Sequence, residues 1–224
     1  MDIPDEFRKE IYMSSLGCSH DFDFVGNAYE RQLNYHAAHD IGHVMQEYML
    51  VGCSSCGVWG AQSADSSLIV ARNFDFYVGD KFAEEKIISF YFPDQGYKFA
   101  SVGWAGMTGV LSGMNEKGLT VTINAAKSTP PISSKTPISI ITRNILQYAS
   151  DIDEAYKIAS SMESFVSESI LIGSASDGRA AIIEKPPQYT ELYTSQGERI
   201  IPTNHSLSHK SRGRRADEQK EDLK

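Results

Sequence analysis

The chain has 224 residues, of which 41% are hydrophobic and 22% charged, and its formal net charge is -8 at pH 7. This length suffices for one sizeable domain with a substantial core, and the composition is ordinary for a globular protein. The acidic balance argues against nucleic acid or an anionic membrane surface as the main partner. No apolar run approaches the roughly 18 residues that a bilayer span needs.

The N-terminal segment (residues 1–52) differs in character from the rest of the chain. It contains two helical patterns, at 4–14 and 28–50, and four of the six histidines. Its first residues, MDIPDEFRKEIY, have neither the basic nor the apolar region of a secretory signal. The three cysteines leave an odd thiol, which suits a reducing compartment. The sequence therefore favours a cytoplasmic location and predicts a helical leader ahead of the main domain.

Beyond Gly52 the pattern changes to short β-branched runs that are separated by turn signals. Asn115-Glu-Lys-Gly118 is a turn between two of these runs. Pro137 and Asp151 mark the starts of two predicted helices, at 138–149 and 152–162. The candidate strands are Leu68–Phe74, Ile87–Phe92, Lys98–Gly103, Thr108–Met114, Leu119–Asn124, Ser169–Gly173, Arg179–Glu184, Glu191–Thr194 and Arg199–Thr203.

The order of these elements is β, then a helix pair, then β again. Helices placed between two antiparallel blocks predict layers in which sheet packs on sheet and helices lie outside. This is an α+β fold of the αββα type. We expect it to occupy residues 53–208, and we expect the charged residues 209–224 to form a disordered tail.

Cys53 and Cys56, in the stretch VGCSSCGVWG, raise three hypotheses. A redox CxxC pair normally begins a helix, whose dipole lowers the thiol pKa, but no helical pattern follows Cys56. A zinc site would combine both cysteines with two of His36, His39 and His43, yet the histidines come first and there is no second CxxC. We therefore expect no metal or other cofactor, with a zinc or redox module as the alternative.

The third hypothesis makes Cys53 a nucleophile that carries its own base. Cleavage of the Gly52–Cys53 bond would give Cys53 a free α-amine with a pKa of about 8, beside a thiol with a pKa of about 8.5. The amine could then accept the thiol proton without a histidine. Gly52 lacks a Cβ and tolerates the strained backbone that self-cleavage requires.

Four motifs in a fixed order resemble one known family. Cys53-Ser-Ser-x-x-Val-Trp-Gly60 and Ala71-Arg-Asn-Phe-Asp-Phe76 precede the hairpin Gly113–Asn124 and the element Pro202-Thr-Asn-His205. They resemble the N-terminal-nucleophile (Ntn) amide hydrolases, in the group of choloylglycine hydrolase, penicillin V acylase and isopenicillin-N acyltransferase. The resemblance implies an αββα sandwich. It also implies cleavage of linear amide bonds in N-acyl compounds through a thioester on Cys53, with acyl transfer as the alternative.

The same resemblance implies roles for five residues. Cys53 would be both nucleophile and base, Arg72 would favour the thiolate, and Asp75 would orient the amine. Asn124 and Asn204 would donate hydrogen bonds to the oxyanion, with the backbone N–H of Asn124 as one candidate donor. The competing interpretations are a surface charge pair for Arg72 and Asp75 and an ordinary turn residue for Asn124.

The partner implied by the resemblance is a small N-acyl substrate, bound by a single chain or a homo-oligomer. Bile-acid conjugates, penicillin V, N-acyl homoserine lactones and lipid amides all suit this chemistry. Tyr77, Phe82 and Met107 hint at an apolar pocket. Related chains continue past the Thr-Asn element through further strands and a late arginine. Residues 209–224 show no strand pattern, so the sandwich is expected to be incomplete at its C-terminal end.

Overall fold

The computed structural model describes residues 1–45, 51–76, 79–126, 135–202, 204 and 207. The helices in this part of the chain are α1 (Asp5–Ser15), α2 (Ala28–Met45), α3 (Ile138–Tyr148) and α4 (Ile152–Ser161). The strands are β1 (Val51–Gly60), β2 (Ser66–Phe76), β3 (Ile87–Tyr91), β4 (Phe99–Gly103), β5 (Ser112–Asn115), β6 (Leu119–Ala125), β7 (Glu168–Ser174), β8 (Arg179–Lys185), β9 (Glu191–Thr194) and β10 (Arg199–Ile200).

The strands form two antiparallel sheets. Seven strands make one sheet in the sequential order β3-β4-β5-β6-β7-β8-β9, and the other sheet has the order β10-β1-β2. The smaller sheet packs on the larger one, with β1 against β6, β7 and β8 and β2 against β7. The predicted fold class, in which two antiparallel sheets stack and helices lie outside, is confirmed.

The main core lies between the larger sheet and the helices α3 and α4. Alternate residues of β6 point into it, including Val121 and Ile123, where they meet Ile141 and Ile145 of α3. The intervening residues of β6 face the smaller sheet instead, because side chains alternate across a strand. One of these is Asn124, which contacts β1. Position 124 is therefore directed between the two sheets.

The N-terminal segment packs against the outer side of the helix layer. Phe7 and Ile11 of α1 are fully buried and form a small core with Ile3 and Ile140, the last of which belongs to α3. Helix α2 packs against both α1 and α3. Asp40 of α2 accepts a hydrogen bond from the backbone N–H of Ile138, 2.9 Å away, and so caps α3 from a distance.

The local signals in the sequence act as expected in two places. The Asn115 side chain accepts hydrogen bonds from the backbone N–H groups of Lys117 and Leu119, which closes the turn between β5 and β6. Gly118 in this turn has a φ of 75°, which a residue without a Cβ adopts readily. The Asp151 side chain caps α4 by accepting from the backbone N–H of Glu154 at 2.8 Å.

The element boundaries differ from the sequence predictions mainly at two strands. β1 is ten residues long, but its glycines and serines have low strand propensity, so no strand is predicted there. The strand predicted over Thr108–Met114 is the shorter β5, because Val110 donates its backbone N–H to Ser139 of α3 rather than to a neighbouring strand. The last part of the predicted helix 28–50, Tyr77, and the tail 209–224 lie outside the described residues.

Across the part of the chain that the structure describes, no helix combines the length and the apolar character that crossing a bilayer requires.

Candidate active site

Cys53 lies on the inner face of β1, between the two sheets. Its side chain is only 4% exposed, and its cross-strand neighbour on β2 is Phe74. Because directly paired residues share a face, Ser55 and its partner Arg72 also point inward. The pairing of β1 with β2 therefore brings the thiol and the guanidinium into one layer.

Arg72 contacts the thiol and is fixed by three further acceptors. Its Nη2 lies 3.5 Å from Cys53 Sγ and 2.9 Å from the backbone oxygen of Ile123. Its Nη1 donates to the Ser112 hydroxyl at 2.6 Å and to the backbone oxygen of Leu111 at 3.1 Å. The guanidinium also stacks over the Phe74 ring, 4.7 Å from its centroid. This environment does not fit an ordinary surface charge pair.

The electrostatics of the uncut chain keep the thiol protonated. Burial raises the pKa of the Cys53 thiol above its usual value, while the positive charge of Arg72 and hydrogen bonds from the backbone of Ala125 and Asp75 oppose that rise. The pKa of the thiol is raised overall. Arg72 lowers this pKa, as expected, but by less than burial raises it. A base is still needed before the sulfur can attack.

Asp75 lies beside the Gly52–Cys53 bond rather than beside the sulfur. Its cross-strand partner is Gly52, and a Cβ built on Gly52 would lie 4.0 Å from the Cβ of Asp75. Asp75 therefore shares the outer face of the small sheet with Gly52, and its side chain is exposed. In the uncut chain the structure does not bring the carboxylate and the thiol together.

Asn204 holds the backbone nitrogen that cleavage would convert into the α-amine. The N–H of Cys53 donates to Oδ1 of Asn204 at 3.3 Å. Nδ2 of Asn204 donates to the backbone oxygen of Ala125 at 2.7 Å, which fixes the orientation of the amide. In this arrangement the Asn204 oxygen contacts the nitrogen of Cys53, whereas the NH2 group that would serve the oxyanion role implied by the resemblance already donates a hydrogen bond to Ala125.

Asn124 offers its side-chain amide to the site. Its Oδ1 accepts a hydrogen bond from the Ser55 hydroxyl at 2.8 Å, whereas its Nδ2 is buried and has no hydrogen-bond partner among the described residues. The neighbouring Ile123 directs its backbone N–H to Leu111 and its C=O to Arg72, both on the side away from β7. Since backbone groups alternate along a strand, those of Asn124 point towards β7. The side-chain Nδ2 of Asn124 is therefore the group of this residue that remains available to donate a hydrogen bond to an oxyanion.

The cysteine pair does not have the geometry of a shared metal or redox site. Cys53 and Cys56 are three residues apart on a strand, so their side chains point to opposite faces of the sheet. His36 already donates its Nδ1 proton to the Gln32 carbonyl at 2.7 Å and accepts at Nε2 from the Thr108 N–H at 2.8 Å. The side chains of His39 and His43 lie outside the described residues.

Sequence reasoning missed three buried polar residues near the site. Ser55, which orients Asn124, could have been found because it lies two positions after Cys53 on the same face of the strand. Glu168 is 1% exposed, and burial raises its pKa well above the usual value, with Asp40 adding to the rise and Arg72 opposing it. No local signal marks Glu168 or Asp40, because acidic residues are seldom fully buried.

Comparison with protein families gives a match over most of the chain. A family model described as acyl-coenzyme A:6-aminopenicillanic acid acyl-transferase matches residues 62–221. An uncharacterized protein of Archaeoglobus fulgidus is 25% identical over 165 residues, which are 68% of this chain and 27% of that protein. The chain therefore spans about a quarter of the length of this relative.

Two solved structures share the fold. The Caenorhabditis elegans ortholog of N-acylethanolamine-hydrolyzing acid amidase superimposes with a TM-score of 0.56 and 16% identity, over 72% of this chain and 73% of that one. A mutant of conjugated bile acid hydrolase from Clostridium perfringens gives a TM-score of 0.51 and 14% identity, over 74% of this chain and 57% of that one. At these identities the likeness concerns the fold.

Proposed function

Since the chain belongs to the acyl-coenzyme A:6-aminopenicillanic acid acyl-transferase family, we propose that it is a self-processing cysteine amidase of the Ntn type. The proposed substrates are linear amides of N-acyl compounds, and the proposed nucleophile is Cys53. The observation that supports this most strongly is the contact of 3.5 Å between Arg72 Nη2 and the buried sulfur of Cys53. The hydrogen bond from the Cys53 N–H to Asn204 supports it independently.

The first reaction is cleavage of the chain itself. The sulfur of Cys53 attacks the carbonyl carbon of Gly52, the C–N bond breaks, and the nitrogen of Cys53 takes up a proton to become an amine. Water then hydrolyses the thioester, which frees the thiol and leaves a carboxylate on Gly52. Asn204 would hold the nitrogen through both steps, and the hydrogen bond that its Oδ1 accepts from the Cys53 N–H supports this role.

Turnover uses the same atoms with a substrate amide. The new α-amine accepts the thiol proton, and the thiolate attacks the carbonyl of the N-acyl group. The amine then returns the proton to the leaving nitrogen, and water resolves the acyl-thioester. The Asn124 amide is the proposed oxyanion donor. Asp75, beside Gly52 in the uncut chain, would accept a hydrogen bond from the α-amine after cleavage.

Trapping the thioester tests this proposal directly. We expect brief mixing with an N-acyl amide, acid quenching and peptide mass mapping to find one acyl group on the peptide that contains Cys53. The Cys53→Ala variant should give neither adduct nor turnover, whereas Cys56→Ala, on the opposite face of β1, should give both. An adduct on another residue, or full activity without Cys53, would refute the proposal.

Acyl transfer is the second candidate, because the matching family model describes an acyltransferase. An amine in place of water would resolve the same thioester. Adding 6-aminopenicillanic acid to the reaction would distinguish the two outcomes. A transferase forms the N-acyl product at a rate that rises with acceptor concentration, whereas a hydrolase releases only the free acid.

A further inference from the structure

A small apolar cavity lies next to the site, between α2 and the main domain. It has a volume of about 50 Å³. Helix α2 contributes Tyr35, His36 and Ala38 to its walls, and the main domain contributes Phe74, Phe82 and Trp104. Two wall residues connect the cavity to the site, because Phe74 is the cross-strand neighbour of Cys53 and Leu111 accepts a hydrogen bond from Arg72 through its backbone oxygen. This is where the acyl group of a bound substrate would extend from the attacked carbonyl.

The aromatic walls of this cavity pack on one another, and its lining residues carry no charge. Phe82 and Trp104 stack with ring centroids 4.3 Å apart, and the indole N–H of Trp104 donates to the backbone oxygen of Phe82 at 2.9 Å. Phe74 packs against the same indole at 6.0 Å. Burial lowers the pKa of His36, whose Nε2 accepts the Thr108 N–H, so this wall residue is neutral. An apolar acyl group suits such a lining.

The cavity is too small to enclose a long or aromatic acyl group while α2 is in place. A cavity that binds benzene measures roughly 150 Å³, about three times this volume. Cleavage after Gly52 would not by itself move α2, because this helix is fixed by the hydrogen bonds of His36 to Thr108 and of Asp40 to Ile138. The wall made by Tyr35 should therefore persist in the processed enzyme.

We propose that Tyr35 limits the size of the acyl group, so that the processed enzyme with its N-terminal segment bound prefers short aliphatic acyl groups of about two to four carbons. This inference rests on the proposed function and adds its substrate class. Tyr35 is a specificity-determining residue in this scheme and takes no part in bond breaking. Shortening its side chain should open the cavity without disturbing the thiol.

Alkyl methanethiosulfonates of increasing chain length test the cavity without requiring amide cleavage. The thiolate of Cys53 displaces methanesulfinate from these reagents and forms a mixed disulfide, whose alkyl chain must enter the cavity. We expect the rate constant of the wild-type protein to be largest for propyl and to fall for hexyl and octyl. In Tyr35→Ala the rate constant should keep rising from propyl to octyl, by about fourfold for each added methylene that becomes buried.

Matched variants and substrates complete the experiment. Tyr35→Leu keeps an apolar side chain of intermediate size and should shift the optimal alkyl chain length by one or two carbons. It takes the place of Tyr35→Ala if the alanine variant does not fold. Tyr12→Ala removes the same side chain from an exposed position of α1 and should keep the wild-type profile. The kcat/KM values for N-acetyl- to N-octanoylglycine should show the same shift.

An unchanged chain-length optimum in both Tyr35 variants overturns the inference, even where amides are hydrolysed. A shifted reagent profile with no hydrolysis of any N-acylglycine leaves the size limit standing and overturns the proposed function instead. Because the two readouts are separate, each failure can be assigned to its own claim.

Discussion

At the residue scale, Arg72 connects the elements of the site. One guanidinium reaches β1 at Cys53, β5 at Ser112 and β6 at Ile123. A lysine has a single terminal nitrogen and could keep the charge but could not bridge all three strands. The residue therefore combines two functions, an electrostatic effect on the sulfur and a structural link between the two sheets.

Replacing Arg72 should raise the pKa of the Cys53 thiol further, because burial already raises it and the arginine opposes that effect. For Arg72→Met, alkylation of Cys53 by iodoacetamide at pH 7 should slow by about tenfold for each unit of the rise. Arg72→Lys should retain part of the rate. The pH profile of alkylation measures both, with the exposed Arg179→Met as control. Identical profiles for Arg72→Met and wild type would contradict the electrostatic role.

Asn124→Ala should lower kcat about a hundred- to thousandfold, since it removes the proposed oxyanion donor. Ser55→Ala should have a smaller effect, because it only frees the orientation of that amide. Thr122→Val is a matched control, as Thr122 is buried on the same face of β6 two positions earlier. Comparable losses in Asn124→Ala and Thr122→Val would point to packing instead of oxyanion stabilisation.

At the element scale, the N-terminal segment is joined to the main domain by a partly buried ion pair. Arg143 of α3 is 1% exposed and donates to both carboxylate oxygens of Glu10, at 2.9 and 3.2 Å. The rings of Phe7, Tyr91 and Phe99 surround the guanidinium, with centroids 4.4 to 5.0 Å away. Loss of α1 would leave a buried cation without its carboxylate, so we expect the segment to stay bound after cleavage.

Glu10→Ala should lower the free energy of unfolding by about 1–3 kcal/mol, less than for a fully buried pair because Glu10 is partly exposed. Urea denaturation of the Cys53→Ala chain, which should remain uncut, measures this. Asp5→Ala on the same helix removes one member of the exposed Asp5–Arg8 pair and should change stability little. Equal effects of the two substitutions would show that Glu10 does not anchor α1.

The buried carboxyl of Glu168 should make stability depend on pH. Its pKa is raised by burial and by Asp40, so the folded chain holds a proton that the unfolded chain releases above a pKa of about 4.3. The stabilisation is therefore complete below that pH and is lost as pH rises towards the folded-state value. The facing charges are Asp40 of α2 and Arg72 of β2, with the Cys53 thiol nearby.

Glu168→Gln should remove this pH dependence. Both proteins are compared in the Cys53→Ala background, which should remain uncut. The free energy of unfolding of Glu168→Gln relative to its parent should increase steadily between pH 4.5 and 8, as measured by urea denaturation. Glu84→Gln, at an exposed position, should leave the slope unchanged. A stability difference between Glu168→Gln and its parent that does not change with pH in this range would contradict the assignment of the buried proton.

At the scale of the whole molecule, the two sheets differ in width. The side chains of Ile88, Phe90, Val102 and Met114 lie on β3, β4 and β5 and are exposed. They share one face of the larger sheet, as the pairs Ile88–Val102 and Ala100–Met114 show. Three strands cannot cover seven, so this apolar face extends beyond the part that β1, β2 and β10 cover.

Periodic patterns predicted the layers because helices and strands bury their faces in characteristic repeats. Helix α3 and strand β9 match their predicted positions almost residue for residue. β1 has no such pattern, and the exposure of Phe90 depends on which strands lie over it, which no local signal records. The motifs indicated Cys53, Arg72, Asn124 and Asn204, which lie near one another: Cys53 contacts Arg72 and Asn204, and Asn124 contacts Ser55 on the same face of β1. Contacts that join distant segments, such as Asp40 with Ile138, could not be predicted.

The central claim is that Cys53 acquires a free α-amine, and N-terminal sequencing with intact mass of the purified protein tests it most directly. The account predicts two chains in the wild-type preparation, one of residues 1–52 and one that begins at Cys53, and a single uncut chain for Cys53→Ala. A wild-type protein that remains one chain while hydrolysing amides, or a new N-terminus at any other residue, would contradict it.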